Sequence, residues 1–151
     1  MRNPQAELFR AVHGERDLPR DGRPELALVG RSNVGKSSLL NRLLGRAALA
    51  RVSRTPGRTR AIHFYLVDGR FFVVDLPGYG YARAARSERA RWGELIEAYF
   101  RQPAASRTVL LLVDAEVGPT RLDQQAATFL DEVQAPFAVV ATKIDKVPKG
   151  R

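Results

Sequence analysis

No cysteine occurs among the 151 residues, which rules out disulfides and thiolate metal sites. Methionine and tryptophan appear once each, and aromatic residues make up only 8% of the chain. No apolar run approaches the ~18 residues of a membrane span. The opening Met1-Arg-Asn-Pro-Gln-Ala-Glu7 lacks the apolar stretch of a signal peptide, so a cytoplasmic protein is expected. Acidic residues are scarce relative to basic ones, 16 against 25, for a net charge of +9. Lysine is scarce too. Lys36, Lys143, Lys146 and Lys149 are the only ones, and every other basic residue is arginine. Such a balance suggests a polyanionic partner, with nucleic acid first, although an arginine-biased genome produces the same composition. The length suits about one domain with a real core.

What is present is concentrated at Gly30-Arg31-Ser32-Asn33-Val34-Gly35-Lys36-Ser37, which fits G-x-x-x-x-G-K-[ST]. The flanks agree: Glu25 to Val29 reads as a short buried strand, and Ser37 to Leu44 as a helix with Leu39, Leu40, Leu43 and Leu44 on one face. A loop of this kind turns backbone N–H groups toward an anion at a helix N-terminus. Lys36 can reach the β- and γ-phosphates of a nucleotide, and the Ser37 hydroxyl can ligate Mg²⁺.

The rest of the chain alternates. Residues 1–23 are a polar, turn-rich lead-in with a short element around Leu8 to Val12, and residues 24–151 form the nucleotide-binding domain. Gly45 to Arg60 has no period and carries five arginines, so it reads as a mobile basic loop. Ala61–Val67 and Phe71–Asp75 flank Asp68-Gly69, a hairpin signal. Pro77 to Arg86 is loop-like. Ser87 is expected to cap a helix whose Trp92, Leu95, Ile96 and Tyr99 face the core. Glu94, Glu97, Asp131 and Glu132 read as solvated helix positions, and His13 and His63 as surface or structural residues. Thr108–Asp114 is a fully apolar strand. Thr120 and Asp123 form a cap-like pair for a helix with Leu122, Ala126, Phe129, Leu130 and Val133 inward. Pro136–Thr142 is the last strand. The pattern predicts a three-layer α/β fold with a mostly parallel sheet and ligands at the carboxyl ends of its strands.

Two more motifs fall on that edge. Asp75-Leu76-Pro77-Gly78 ends a strand, where the aspartate can hold Mg²⁺ opposite Ser37 and Gly78 leaves its N–H free to approach a γ-phosphate. Thr142-Lys143-Ile144-Asp145 follows the last strand. The Asp145 carboxylate can accept from guanine N1–H and the 2-amino group, a pair that adenine lacks. Asp145 thus argues against an ATPase or kinase. The Lys143 stem can pack along the base.

Together these residues resemble a small GTPase domain of the translation-factor-related class. The wording Gly30 to Asn41, Thr55-Pro-Gly-Arg-Thr-Arg60, Asp75-Leu-Pro-Gly-Tyr-Gly-Tyr-Ala82 and Thr142-Lys-Ile-Asp-Lys146 resembles the EngB (YihA/YsxC) family, whose members carry Thr where Asn is usual at position 142. The resemblance covers roughly residues 24–147. It implies a P-loop (Ras-like) fold that binds GTP or GDP with Mg²⁺ held by Ser37, Thr59 and Asp75, with Lys36, Thr59 and Gly78 at the γ-phosphate. Gly57, Arg58, Thr59, Arg60 and Ala61 then belong to the nucleotide-binding switch I, with Thr59 its threonine. Asn33 matches an asparagine that helps hold K⁺ in potassium-stimulated relatives. In Ras-like enzymes a glutamine directly follows the D-x-x-G glycine and orients the attacking water. Here that residue is Tyr79, so slow, partner-dependent hydrolysis is expected. The implied role is in large ribosomal subunit assembly and in normal cell division and septation. The alternative is a division-apparatus binding module that uses nucleotide for stability.

Two loops, Gly45–Arg60 and Pro77–Arg86, are the expected switches. Arg51, Arg54, Arg58 and Arg60, with Arg83, Arg86, Arg89 and Arg91, would present a basic surface to ribosomal RNA in the GTP state. A monomer is expected. Family members continue for several tens of residues, with a loop over the guanine, a strand and a helix, whereas this chain stops six residues after Asp145. The reading is therefore a G domain truncated after its T-K-I-D motif, with residues 136–142 an exposed edge and with weakened nucleotide affinity if the chain is complete.

Overall fold

The computed structural model describes residues 4–45, 61–80, 86–104 and 106–150. Six strands form one mixed sheet: β1 (Ala6–Val12), β2 (Glu25–Gly30), β3 (Ile62–Val67), β4 (Phe71–Asp75), β5 (Arg107–Asp114) and β6 (Phe137–Thr142). Their order is β1-β3-β4-β2-β5-β6. The β1–β3 and β3–β4 pairs are antiparallel and the other three parallel, so β3 alone runs against its neighbours. The expected mostly parallel sheet is present, and the carboxyl ends of β2, β4, β5 and β6 share one edge.

Among the described residues three α-helices cover the two faces: α1 (Lys36–Leu44), α2 (Arg86–Arg101) and α3 (Arg121–Glu132). Period-two alternation in the central strands supplies two cores. Ala27, Phe72, Val74, Val109 and Leu111 pack toward Leu95, Tyr99 and Leu130 of α2 and α3. Leu28, Val73 and Leu112 pack toward Leu40 and Leu44 of α1. On the first face Phe64, Tyr99, Phe100 and Phe129 meet edge to face in succession, with centroids 6.0, 4.9 and 5.7 Å apart.

Several local expectations change. The short element near Leu8 is a seven-residue edge strand, tied down where Gln5 N–H donates to Asp68 Oδ1 (2.9 Å) and Asp68 N–H to the Gln5 carbonyl (2.8 Å). Helix α2 starts at Arg86, which places Ser87 inside its first turn rather than at the cap. Tyr99 is buried but Trp92 is only half-buried. Leu43 and Leu122 are exposed rather than inward. In each case the helix buries a narrower stripe than the leucine spacing suggested. Glu94, Glu97, Asp131 and Glu132 are exposed as expected. The Asp68-Gly69 hairpin has positive φ at both residues (52° and 65°), as a type I′ turn requires. The Thr120–Asp123 pair is a complete capping box on α3.

Candidate functional site

The loop Gly30–Ser37 joins β2 to α1 and is shaped by contacts that leave no room for side chains at two of its neighbouring glycines. A Cβ on Gly30 would lie 2.8 Å from Val34 Cγ1, and one on Gly78 would lie 3.2–3.3 Å from Ser32 atoms. Gly78 thus lets the D-x-x-G segment lie directly against the loop, while Gly30 lets the loop fold back on Val34 and pass beside Leu112 of β5. Backbone bonds stitch segment and loop together: Ser32 N–H donates to the Tyr79 carbonyl (2.8 Å), Tyr79 N–H to Gly30 (3.3 Å) and Leu76 N–H to Leu28 (3.3 Å). Beyond β4, then, the chain continues in parallel beside β2.

Lys36 lies in the first turn of α1. Its ammonium forms an ion pair with the buried Asp75 carboxylate and donates to the Leu76 carbonyl (2.7 Å). Ser37 follows on the same turn, half-buried. A carboxylate and a lysine therefore meet at the ends of β2 and β4, with a hydroxyl-bearing residue next to that lysine on α1. Carboxylate and hydroxyl are hard oxygen donors beside a cation, a set that fits Mg²⁺ shared with phosphate oxygens. Among the described residues no cluster of three or more His, Asp or Glu side chains could hold a metal without such a ligand.

The T-K-I-D segment contacts the same loop from β6. Thr142 Oγ1 donates to the Val34 carbonyl (2.6 Å) and lies 3.3 Å from the Val113 carbonyl. Lys143 Nζ donates to the Asn33 carbonyl (3.0 Å) and to Asp114 Oδ2 (2.9 Å). Asp145 stands exposed in the 3-10 turn Ile144–Lys146. The structure thus brings Asp75 to Gly78 and Thr142 and Lys143 against Gly30 to Ser37, and Ile144 and Asp145 follow in the exposed turn. Ala61 is buried just before β3. Gly57, Arg58, Thr59 and Arg60 lie outside the described residues, as do Arg51, Arg54 and Arg83. Arg86 and Arg91 are exposed on α2.

Sequence reasoning missed two groups. Asp114, the last residue of β5, is 4% exposed, and its Oδ1 accepts from the N–H groups of Glu116 (2.9 Å) and Val117 (3.3 Å). The hydrogen bond from Lys143, and then those backbone donors, hold its carboxyl below the usual range against the opposing effect of burial. An aspartate closing an apolar strand at the same edge as Asp75 was the available signal. The second is the partner of Tyr79, a residue that the sequence marks only as standing in place of the Ras-like glutamine. The Tyr79 hydroxyl donates to the buried Asp123 of the α3 capping box. Burial first, then that bond, push the phenol far above its ordinary value.

His63, in β3 opposite Asp75, has its pKa lowered chiefly by burial, with Asp75 pulling the other way and Lys36 and His13 adding to the depression. With the folded value below the unfolded one, the unfolded chain binds more protons as pH falls through ~6.5. Stability is therefore full above that pH and is lost below it. The thermal midpoint is expected to fall between pH 7.5 and 5.5, and His63→Gln to flatten that part of the profile. An identical slope in the variant would assign the loss elsewhere.

The profile of the family described as 50S ribosome-binding GTPase matches residues 25–143. The chain is 46% identical over 147 residues to the probable GTP-binding protein EngB of Geobacillus kaustophilus (strain HTA426), covering 97% of this chain and 75% of that one. It is 48% identical over 151 residues to the protein of the same name from Pelotomaculum thermopropionicum, with 100% and 76% covered. Among solved structures it is similar to a variant of Aquifex aeolicus Era bound to GDP and AlF4⁻, with TM-score 0.62, 27% identity, and 83% of this chain but 42% of that one covered. It is also similar to Era in complex with MgGDPNP and nucleotides 1506–1542 of 16S ribosomal RNA, with TM-score 0.56, 27% identity, and 82% and 41% covered. Among the described residues no helix is long and apolar enough to cross a membrane.

Proposed function

The chain belongs to the EngB family of GTP-binding proteins, within the 50S ribosome-binding GTPases, and from that premise we propose that it is a slow GTPase switch in large ribosomal subunit assembly. The observation that carries the reading is the convergence of three loops on one sheet edge: Gly30–Ser37, Asp75–Gly78 and Thr142–Asp145. In this reading residues 24–151 are the G domain. Lys36 serves the β- and γ-phosphates, Gly78 the γ-phosphate, and Asp145 the guanine edge, while Arg31, Ser32, Asn33, Val34 and Gly35 wrap the phosphates.

Ser37 and Asp75, with Thr59, would hold Mg²⁺, which supplies charge neutralisation at the phosphates when bound. Asn33 is the proposed K⁺ residue. Leu76, Pro77, Thr142, Lys143 and Ile144, with Gly57, Arg58, Arg60 and Ala61, complete the nucleotide surround. Tyr79 supports slow intrinsic hydrolysis. Its hydroxyl is engaged by Asp123, and a phenol held in its protonated form is a poor base for water. We place the protein in the cytoplasm as a monomer, with a part in cell division and septation that follows from ribosome supply.

The net charge of +9 and the arginines of the two switch loops support an RNA partner. If GTP orders those loops, co-sedimentation with large ribosomal subunits is expected to be stronger with a non-hydrolysable GTP analogue than with GDP, and to weaken steeply with salt. Equal sedimentation in both nucleotide states at moderate salt would count against the switch.

A further inference from the structure

We propose that Asp114 is a positioning residue for nucleotide binding: it holds Lys143, and through Lys143 the Asn33 carbonyl of the phosphate loop, without touching the nucleotide. The inference rests on the proposed assignment of residues 30–37 and 142–145 to the nucleotide.

The two oxygens of Asp114 do different work. Oδ1 takes the N–H groups of Glu116 and Val117 and so shapes the turn after β5. Oδ2 takes the Lys143 ammonium at 2.9 Å. That same ammonium reaches the Asn33 carbonyl at 3.0 Å. One buried carboxylate thus links the loops that follow β5, β6 and β2. The lysine side chain is 30% exposed and the aspartate 5%. The fixed partner is therefore the acid, and the movable one is the base. A charge-assisted bond to a buried acceptor holds an ammonium more firmly than a backbone carbonyl alone.

The backbone explains why holding is needed. Four described non-glycine residues have positive φ: Asn33 (67°), Asp68 (52°), Gln134 (57°) and Lys143 (57°). Asp68 lies in the hairpin turn and Gln134 just past α3. The other two belong to the phosphate and base loops and are joined to each other directly by the Lys143–Asn33 bond. Left-handed backbone is unfavourable for residues with a Cβ and persists where surrounding contacts over-determine it. Thr142 makes a parallel tie to the next carbonyl, Val34. Asp114 therefore governs one of two adjacent anchors of the loop.

Asp114→Asn tests this because an amide oxygen can still accept from Glu116 and Val117 while the negative charge that holds Lys143 is lost. GDP affinity is to be measured by calorimetry for the unmodified chain, Asp114→Asn, Lys143→Gln and the double variant, beside thermal midpoints without nucleotide. Asp114→Asn is expected to weaken GDP binding about tenfold with little change in the nucleotide-free midpoint. In the Lys143→Gln background the same change is expected to cost less than twofold, since the lever is already gone. GDP affinity within twofold of the unmodified chain, or two effects that simply multiply, would overturn the proposal. Should Asp114→Asn not fold, Lys143→Gln alone suffices. Amide exchange at Asn33 to Gly35 is expected to accelerate in it, and unchanged exchange would overturn the proposal too. A failure of the unmodified chain to bind GDP would instead remove the site assignment beneath it.

Discussion

Asp145→Asn is expected to weaken GDP binding by roughly two orders of magnitude and to create affinity for xanthosine diphosphate. Asp145 sits exposed in a 3-10 turn launched by the left-handed Lys143, and among the described residues no side chain claims its carboxylate. A free carboxylate offers only acceptors, and guanine offers two adjacent donors at N1 and the 2-amino group. An asparagine places an N–H₂ against one of those donors, and the resulting donor–donor contact costs far more than one absent bond. Xanthine carries a carbonyl at that carbon, so the amide regains a partner. Titration of both proteins with GDP, XDP and ADP checks this, and unchanged GDP affinity would dismiss Asp145 as the base-selecting group.

Lys36→Met carries the second large effect, and it has two separable parts. Nucleotide affinity is expected to fall at least ~100-fold, because the phosphates lose a direct cation. The protein itself should also suffer. Lys36 and Asp75 are paired with side chains 14% and 7% exposed, so removing the lysine strands a buried carboxylate. Breaking such a pair from one side costs on the order of 3 kcal/mol, roughly a 10 °C loss of thermal midpoint at this chain length. Lys36→Met with Asp75→Asn is expected to recover most of that stability and none of the GDP binding. Denaturation without nucleotide and calorimetry with it separate the two. A double variant as unstable as the single one would show that the pair is not what Lys36 contributes to the fold.

What was legible in the sequence had short-range causes. The Gly30–Ser37 loop, the Asp68-Gly69 turn and the Thr120–Asp123 capping box each follow from residues within a few positions of one another. The central strands were equally plain, since burial on both faces makes them continuous apolar runs. β1 was not plain. It lies at the edge with Glu7, Leu8, Phe9 and Arg10 all exposed, which erases the two-residue alternation that marks a strand. Leu43 and Leu122 looked inward because helical spacing assigns a face but not the width of the neighbour packed on it. In the candidate site, spacing alone marks the motif residues. It does not mark Asp114 or the Tyr79–Asp123 pair, because their partners are chosen by tertiary contact across 29 and 44 positions.

The carbonyls of Asn33 and Val34 are fastened by side chains that arrive 110 and 108 residues later. A growing chain emerging from its own ribosome has the whole glycine-rich motif early, but not the clasps that set its shape. β2 must likewise wait for β4 on one side and β5 on the other. Such distant closures are slow, because chain entropy is lost before the contacts return it. Competence to bind nucleotide is therefore expected late in synthesis, after residue 143 has left the exit tunnel. Ribosome-stalled chains ending on either side of that point should divide sharply in their retention of labelled GDP.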